Sequence, residues 1–220
     1  MKMKSALAPA LLALAAPLAA ADTLVFSDDF NRTEAGAAWR FLWPEVALAD
    51  GTLHARQAKA GHGAVARCNA AMRDGALEFR FRLSPGTSLN AVWNDPAYKE
   101  SHGGHICRVA ISEKQIRLGD DKLGLTHETV AMRRDPALRA EGDRRLAARS
   151  ATIPRAIAPG EWHLLRMAIN GEEMRVSLDG KEVGSLKSAG LAHPVKRDLH
   201  FTITGKEAWI DDVRVWSTPP

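Results

Sequence analysis

Between Leu77 and Leu83 the chain alternates without a slip: Leu77, Phe79, Phe81 and Leu83 fall on one parity, and Glu78, Arg80 and Arg82 on the other. A period of two gives a strand one apolar and one charged face. Met174, Val176 and Leu178 alternate in the same way with Arg175, Ser177 and Asp179, and Asp179-Gly180 leads into Lys181-Glu182-Val183. Asp-Gly between two such runs predicts a hairpin, because both turn residues take positive φ. Asn170-Gly171 closes the run 162–169 in the same manner, and the runs 199–204 and 209–216 supply a last pair. Short alternating strands joined by turns, with no helix between them, predict an all-β sandwich of two antiparallel sheets.

One stretch breaks this rhythm. Residues 125–158 are rich in Arg and Ala, and Pro136 to Ser150 have the pattern of a short amphipathic helix. The stretch is expected to be a long, partly helical insertion crossing the sandwich, and insertions of this length often belong to a site. Its basic residues, from Arg133 to Arg149, are interleaved with Asp and Glu. That mixture favours a solvated face over a polyanion site.

The first 21 residues read as a signal peptide. Lys2 and Lys4 precede an apolar stretch over 5–18, and Ala19-Ala20-Ala21 offers a small-x-small cleavage site. The stretch is short and broken by Pro9 and Pro17, and no later segment has the length of a membrane span. Residues 22–220 are therefore expected to form one exported domain, a monomer resident in the periplasm or the medium. The formal net charge of +4 includes both leader lysines, so the mature domain is only weakly basic and carries no nucleic-acid-type excess. Cys68 and Cys107 lie in strand-like segments. Export permits a disulfide between them, and burial as small hydrophobes is the equal alternative.

Several segments resemble known families. Leu24 to Asn31, Pro159-Gly160-Glu161-Trp162-His163 with the later Val176 to Lys181, and Trp209 to Trp216 resemble scaffold strands of family 16 glycoside hydrolases. Asp50-Gly51-Thr52-Leu53, Gly61-His62-Gly63-Ala64, His105 to Val109, the Asp120-Asp121-Lys122 turn and the terminal Asp-Asp-Val-Arg-Val are similar to the 3-keto-disaccharide hydrolase domain family. The resemblance implies a concanavalin A-like jelly roll acting on a small saccharide or glycoside. It also raises His62, Asp121 and Lys122 to site candidates.

The paired carboxylates of family 16 enzymes, Glu-x-Asp-x-x-Glu on one strand, are missing. Glu141-Gly142-Asp143 ends in Leu146 and sits in the insertion, while Asp95 and Glu100 have the wrong spacing. The middle of the chain offers nitrogen chemistry instead. His102-Gly103-Gly104-His105 precedes a strand in which Cys107, Val109 and Ile111 share the core parity and Arg108 the opposite one. Histidine moves protons near neutral pH, and Arg or Lys stabilises an oxyanion. His105, Arg108 and Lys122 are thus the catalytic candidates. His62, Arg67, Trp93, Asn94, His102, Asp121, Lys196 and His200 are the substrate-binding ones.

Each candidate has a plainer alternative. Trp93-Asn94 pairs a stacking face with a hydroxyl-reading amide, and a core Trp serves the pattern equally. His102-x-x-His105 lacks an evident third metal ligand. Asp28-Asp29 and Asp211-Asp212, on terminal strands expected to pair, could gather a structural Ca²⁺, with a salt bridge as the simpler account. No other cofactor is expected. Trp39, Trp43, Trp162, Trp209 and Trp216 are assigned to core or hairpin packing. Three functions stay open: an enzyme of oxidised glycosides, a non-catalytic sugar-binding module, and an interaction domain of the cell envelope.

Overall fold

The computed structural model describes residues 22–219, so the leader lies outside the described residues. Along the chain run β1 (Thr23–Asp28), β2 (Trp39–Phe41), β3 (Val46–Ala49), β4 (Thr52–Arg56), β5 (Ala64–Met72), β6 (Gly75–Leu83), β7 (Ser88–Asn94), β8 (His105–Ser112) and β9 (Gln115–Asp120). After a helical insertion come β10 (Ser150–Pro154), β11 (His163–Asn170), β12 (Glu173–Leu178), β13 (Lys181–Lys187), β14 (Lys196–Thr204) and β15 (Glu207–Ser217). One sheet has the order β13-β12-β11-β6-β15-β4-β3, with β1 also on β15; the other has β10-β9-β8-β7-β14-β5-β2. The pairings are antiparallel, and the expected all-β sandwich is what forms.

The core follows from the alternation. Leu77, Phe79, Phe81 and Leu83 of β6 face inward, as do Leu89, Ala91 and Trp93 of β7 and Cys107, Val109 and Ile111 of β8. Phe79 meets Phe201 of the opposite sheet edge to face, centroids 5.0 Å apart, which joins the two layers. Each of the larger ones, the Leu, Ile, Val and Phe side chains, contributes about 1.5–3 kcal/mol by leaving water. Asp179 and Gly180 take φ of 52° and 77°, as the hairpin requires. The neighbouring turn falls one residue later than expected. Asn170 still pairs with Glu173, and of the turn residues Gly171 and Glu172 only the glycine is left-handed, at 54°.

Cys68 and Cys107 are both free and buried. They belong to β5 and β8, with β14 and β7 between them: Leu199 pairs with Cys68 and with Trp93, and Trp93 pairs with Cys107. Three strand spacings separate them by about 14 Å, beyond the reach of a disulfide. Burial raises both thiols, Cys107 to about 12.

The insertion is more helical than its sequence suggested. Just ahead of it the expected Asp120-Asp121-Lys122 turn opens a short helix, α1 (Asp121–Gly124), and the insertion itself holds α2 (His127–Arg134) and α3 (Arg139–Ala147). The expected helix over 136–150 starts only at Arg139, since Pro136 sits in the link after α2. The α2 helix lacks an apolar stripe to announce it, as Thr129 is its buried residue. It is set by its cap, the Thr126 hydroxyl accepting from the Thr129 amide at 3.2 Å.

Three tryptophans correct the sequence reading. Trp39 is in the core, but Trp162, Trp209 and Trp216 lie half-buried on the outer face of the β6 sheet. There Arg82 sits 4.2 Å from the Trp209 ring and 5.2 Å from Trp162, while Arg166 covers Trp216 at 4.8 Å. The guanidiniums supply cation–π partners that let large aromatics stay outside.

Candidate active site

The outer face of the second sheet carries the polar parity of its strands. One row across it reads Arg67, His200, Val92, Arg108 and Gly119, because these residues pair in register from β5 to β9. The next row holds Asp198 and Asn94, with His105 brought alongside by a register shift after Trp93. With α2 on one side, this face makes a cleft of about 460 Å³ lined by Asn90, Val92, His102, His105, Arg108, Leu125, Val130, Arg133, Arg134, His200 and Thr202.

Asn94 organises the centre. Its amide nitrogen donates to the Asp198 carboxylate at 2.8 Å, which fixes which end of the amide is which. The same nitrogen lies 2.7 Å from Nδ1 of His200, and its oxygen lies 2.5 Å from Nδ1 of His105. Only a donor can meet each lone pair, so the two rings take opposite tautomers. His105 carries its proton on Nδ1 and leaves Nε2 a bare acceptor; His200 accepts at Nδ1 and carries N–H at Nε2. The rings stand 5.3 Å apart.

Both imidazoles are held neutral. Burial and then the nearby Arg108, His102 and Arg67 push His105 down to about 3. Burial, His105, Arg67 and Arg108 push His200 down to about 2. Arg108 is itself fixed, its Nε donating to the buried Asp121 carboxylate at 2.5 Å. That contact leaves the terminal nitrogens of the guanidinium for the cleft. Asp198 is similarly backed, with Arg67 Nε 3.6 Å away.

The turn ahead of β8 sets the ring in place. Gly104 has φ of 69°, and a Cβ there would lie 2.4 Å from the Asp95 carbonyl oxygen. A Cβ on Gly103 would stand 3.2 Å from the His105 ring. Glycine at both positions lets the chain turn sharply while His102 reaches the cleft, centroid 5.7 Å from His105.

The candidates therefore divide. His102, His105, Arg108 and His200 line the cleft, and Asn94 and Arg67 stand behind it. Asp121 touches Arg108 rather than the open space. Trp93 takes its alternative placement: its register with Leu199 and Cys107 turns it inward, fully buried, so it offers no stacking face. Lys196 is fully buried too, its ammonium donating to the carbonyls of Arg73 and His193 at 2.5 and 3.2 Å, because a register shift in β14 turns it to the inner side. Lys122 leans over the Tyr98 ring at 5.2 Å, away from the cleft. His62 packs on Trp43 at the far end of β5, centroids 4.8 Å apart.

Asp198, Arg133 and Arg134 are additions. Asp198 was legible, two residues before His200 on the same strand parity. The two arginines were not, since nothing in a basic run tells which side chains turn to a neighbouring sheet. Among the described residues no group of three or more His, Cys, Asp or Glu is arranged to hold a metal ion. Both oxygens of Asp28 receive Arg32, at 2.6 and 2.7 Å, and one also receives Trp39 Nε1 at 2.7 Å, so this carboxylate makes the salt bridge.

Layers, topology and helical insertion define a jelly-roll sandwich of the concanavalin A-like kind, and solved structures agree. The chain superposes on SCLam, a non-specific endo-β-1,3(4)-glucanase of family GH16, with a TM-score of 0.59 at 14% identity, over 93% of this chain and 95% of that one. The Crh5 transglycosylase gives 0.60 at 14% identity, over 89% and 85%. The catalytic domain of an endo-1,3-β-glucanase from Thermotoga petrophila RKU-1 gives 0.55 at 14%, over 91% and 100%. No family model and no curated protein matches the chain.

Proposed function

We propose that the chain is an exported, carbohydrate-active enzyme that cleaves 3-keto-glycosides by elimination, with His105 as the base and no cofactor. The observation that carries this is the Asn94 amide, which presents a bare Nε2 on His105 and an N–H on His200 to one carboxylate-free cleft. Double displacement on a plain glycoside requires two carboxylates, and this cleft has none on its walls. The saccharide chemistry named for the solved neighbours and the motif resemblance to the 3-keto-disaccharide hydrolase domain family both support the reading.

In this scheme His105 Nε2 takes the C2 proton, which the adjacent C3 carbonyl acidifies. The electron pair passes to the C3 oxygen, where His200 Nε2–H and the Arg108 guanidinium donate. The carbonyl then reforms, C1=C2 forms and the C1–O bond breaks. The imidazolium returns its proton to the departing oxygen, so the products are an alcohol and an unsaturated keto-sugar, with no water consumed. Asn94, backed by Asp198, keeps the His105 tautomer correct throughout.

Product analysis by mass spectrometry tests the proposal. The protein is incubated with 3-keto-glucosides and with the matching unoxidised disaccharides, each with and without EDTA. Cleavage confined to the keto-sugars and indifferent to EDTA is the expected result. Binding of both without cleavage would make the chain a lectin-like module, the reading that the absent carboxylate pair also favours.

A further inference from the structure

The charge of the cleft goes further than its histidines. Arg108, Arg133 and Arg134 line it, and no Asp or Glu does. Arg117 stands on the same face of the sheet, one strand beyond Ala110, in the field of Arg108, Asp121 and Arg133. Two of these guanidiniums are already answered from behind, Arg108 by Asp121 and Arg133 by Asp143 at 2.7 Å. Arg117 and Arg134 make no salt bridge among the described residues; Asp121, the carboxylate that acts on Arg117, is bonded to Arg108, and Arg117 is partly withdrawn from water. A sheltered cation with like charges beside it is costly, and an incoming anion removes that cost.

We infer that the saccharide this cleft takes is anionic, its carboxylate or sulfate group received by Arg117 and Arg134 on the α2 side. The inference rests on the reading of the cleft as a saccharide site and specifies its ligand. It also resolves a tension in the chemistry. A base held neutral to about pH 3 is weak, and Arg108 is the leading charge that holds it so. An anion seated among the guanidiniums offsets that field and strengthens His105 when substrate is present.

Calorimetric titration at fixed ionic strength tests this with trigalacturonate, a sulfated galactotriose and neutral cellotriose. Wild-type protein is compared with Arg134→Ala, Arg134→Lys and Arg117→Leu. Arg139→Ala, on the exposed side of α3, serves as a control for general surface charge. One or both anionic sugars are expected to bind at least about tenfold more tightly than cellotriose. Arg134→Ala should lose about that factor, Arg134→Lys should recover part of it, and Arg139→Ala should lose nothing. Which anionic sugar wins identifies the group. Arg134 is exposed, so its variants fold even if Arg117→Leu does not.

Equal binding of charged and neutral sugars, equal losses for the Arg134 and Arg139 variants, or no binding of any sugar would overturn the inference. Because the titration needs no turnover, anionic binding without cleavage of keto-sugars would sink only the proposed reaction. Cleavage with a preference for neutral sugars would sink only this inference.

Discussion

The two outer faces of the sandwich are written in the same alternating code and do opposite things. On the β6 sheet, Arg82 covers Trp162 and Trp209, Arg166 covers Trp216, and Glu78 lies 3.5 and 3.6 Å from Arg166 and Arg214. The large aromatic groups there are covered by guanidiniums, and the result is a surface without a comparable array of outward-facing histidines. On the β7–β8–β14 sheet the outward residues are His105, His200 and Arg108, with a bare ring nitrogen, a cleft and two guanidiniums outside any salt bridge nearby. Polar groups left unsatisfied in a shaped cavity are kept at a cost to stability, which marks a working face.

The largest expected effect of testing this contrast is on rate. His105→Ala should lower turnover of the keto-sugar by at least about 100-fold, more than its loss of stability accounts for when the folded fraction is measured alongside, whereas Trp209→Ala should leave turnover alone. Full activity in His105→Ala would end the assignment of the base. Asn94→Ala comes next. It strips both imidazoles of their tautomer lock and leaves Asp198 with only Arg67, so about tenfold or more in kcat and about 2 kcal/mol of stability should go. Chemical denaturation and steady-state rates together separate the two losses.

The same histidines predict a pH signature. In the unfolded chain a histidine titrates near 6.5, while in the fold His105 and His200 stay neutral down to about 3 and about 2. Between these limits the unfolded state binds protons that the folded state refuses. Stability is therefore complete above about pH 6.5 and declines as pH falls, by about 1.4 kcal/mol per pH unit for each ring. Urea midpoints measured from pH 7 to pH 4 should show this slope, and His200→Asn should reduce it. A slope unaltered by that change would place the sensitivity elsewhere.

On the β6 sheet the effects are smaller. Trp209→Ala removes the Arg82 contact and the His54 stack, centroids 5.0 Å apart, and should cost about 1–2 kcal/mol by thermal denaturation. Arg144→Ala on α3 touches only the exposed Glu141 and should change stability by less than about 0.5 kcal/mol. If Arg144→Ala proved the more damaging of the two, the insertion would be a structural element rather than a wall.

Sequence alone determined the strands, their inward faces, most hairpins and the parity that sends Arg108 and His200 outward against Cys107 and Phe201. A period of two is a local property, readable without knowing what a strand pairs with. The tertiary structure decided the rest. Trp93 and Asn94 are neighbours in the chain, yet one fills the core and the other bridges two histidines, because register with Leu199 and Asp198 sets their surroundings. Lys196 fell to the inside through a register shift that no pattern announces. Arg133 and Arg134 became part of a cleft through the packing of α2 against another element. Contacts between residues about 100 positions apart, such as Asn94 with Asp198 and His200, depend on how strands align across a sheet. That alignment is settled by the summed packing of both layers, not by the residues that use it.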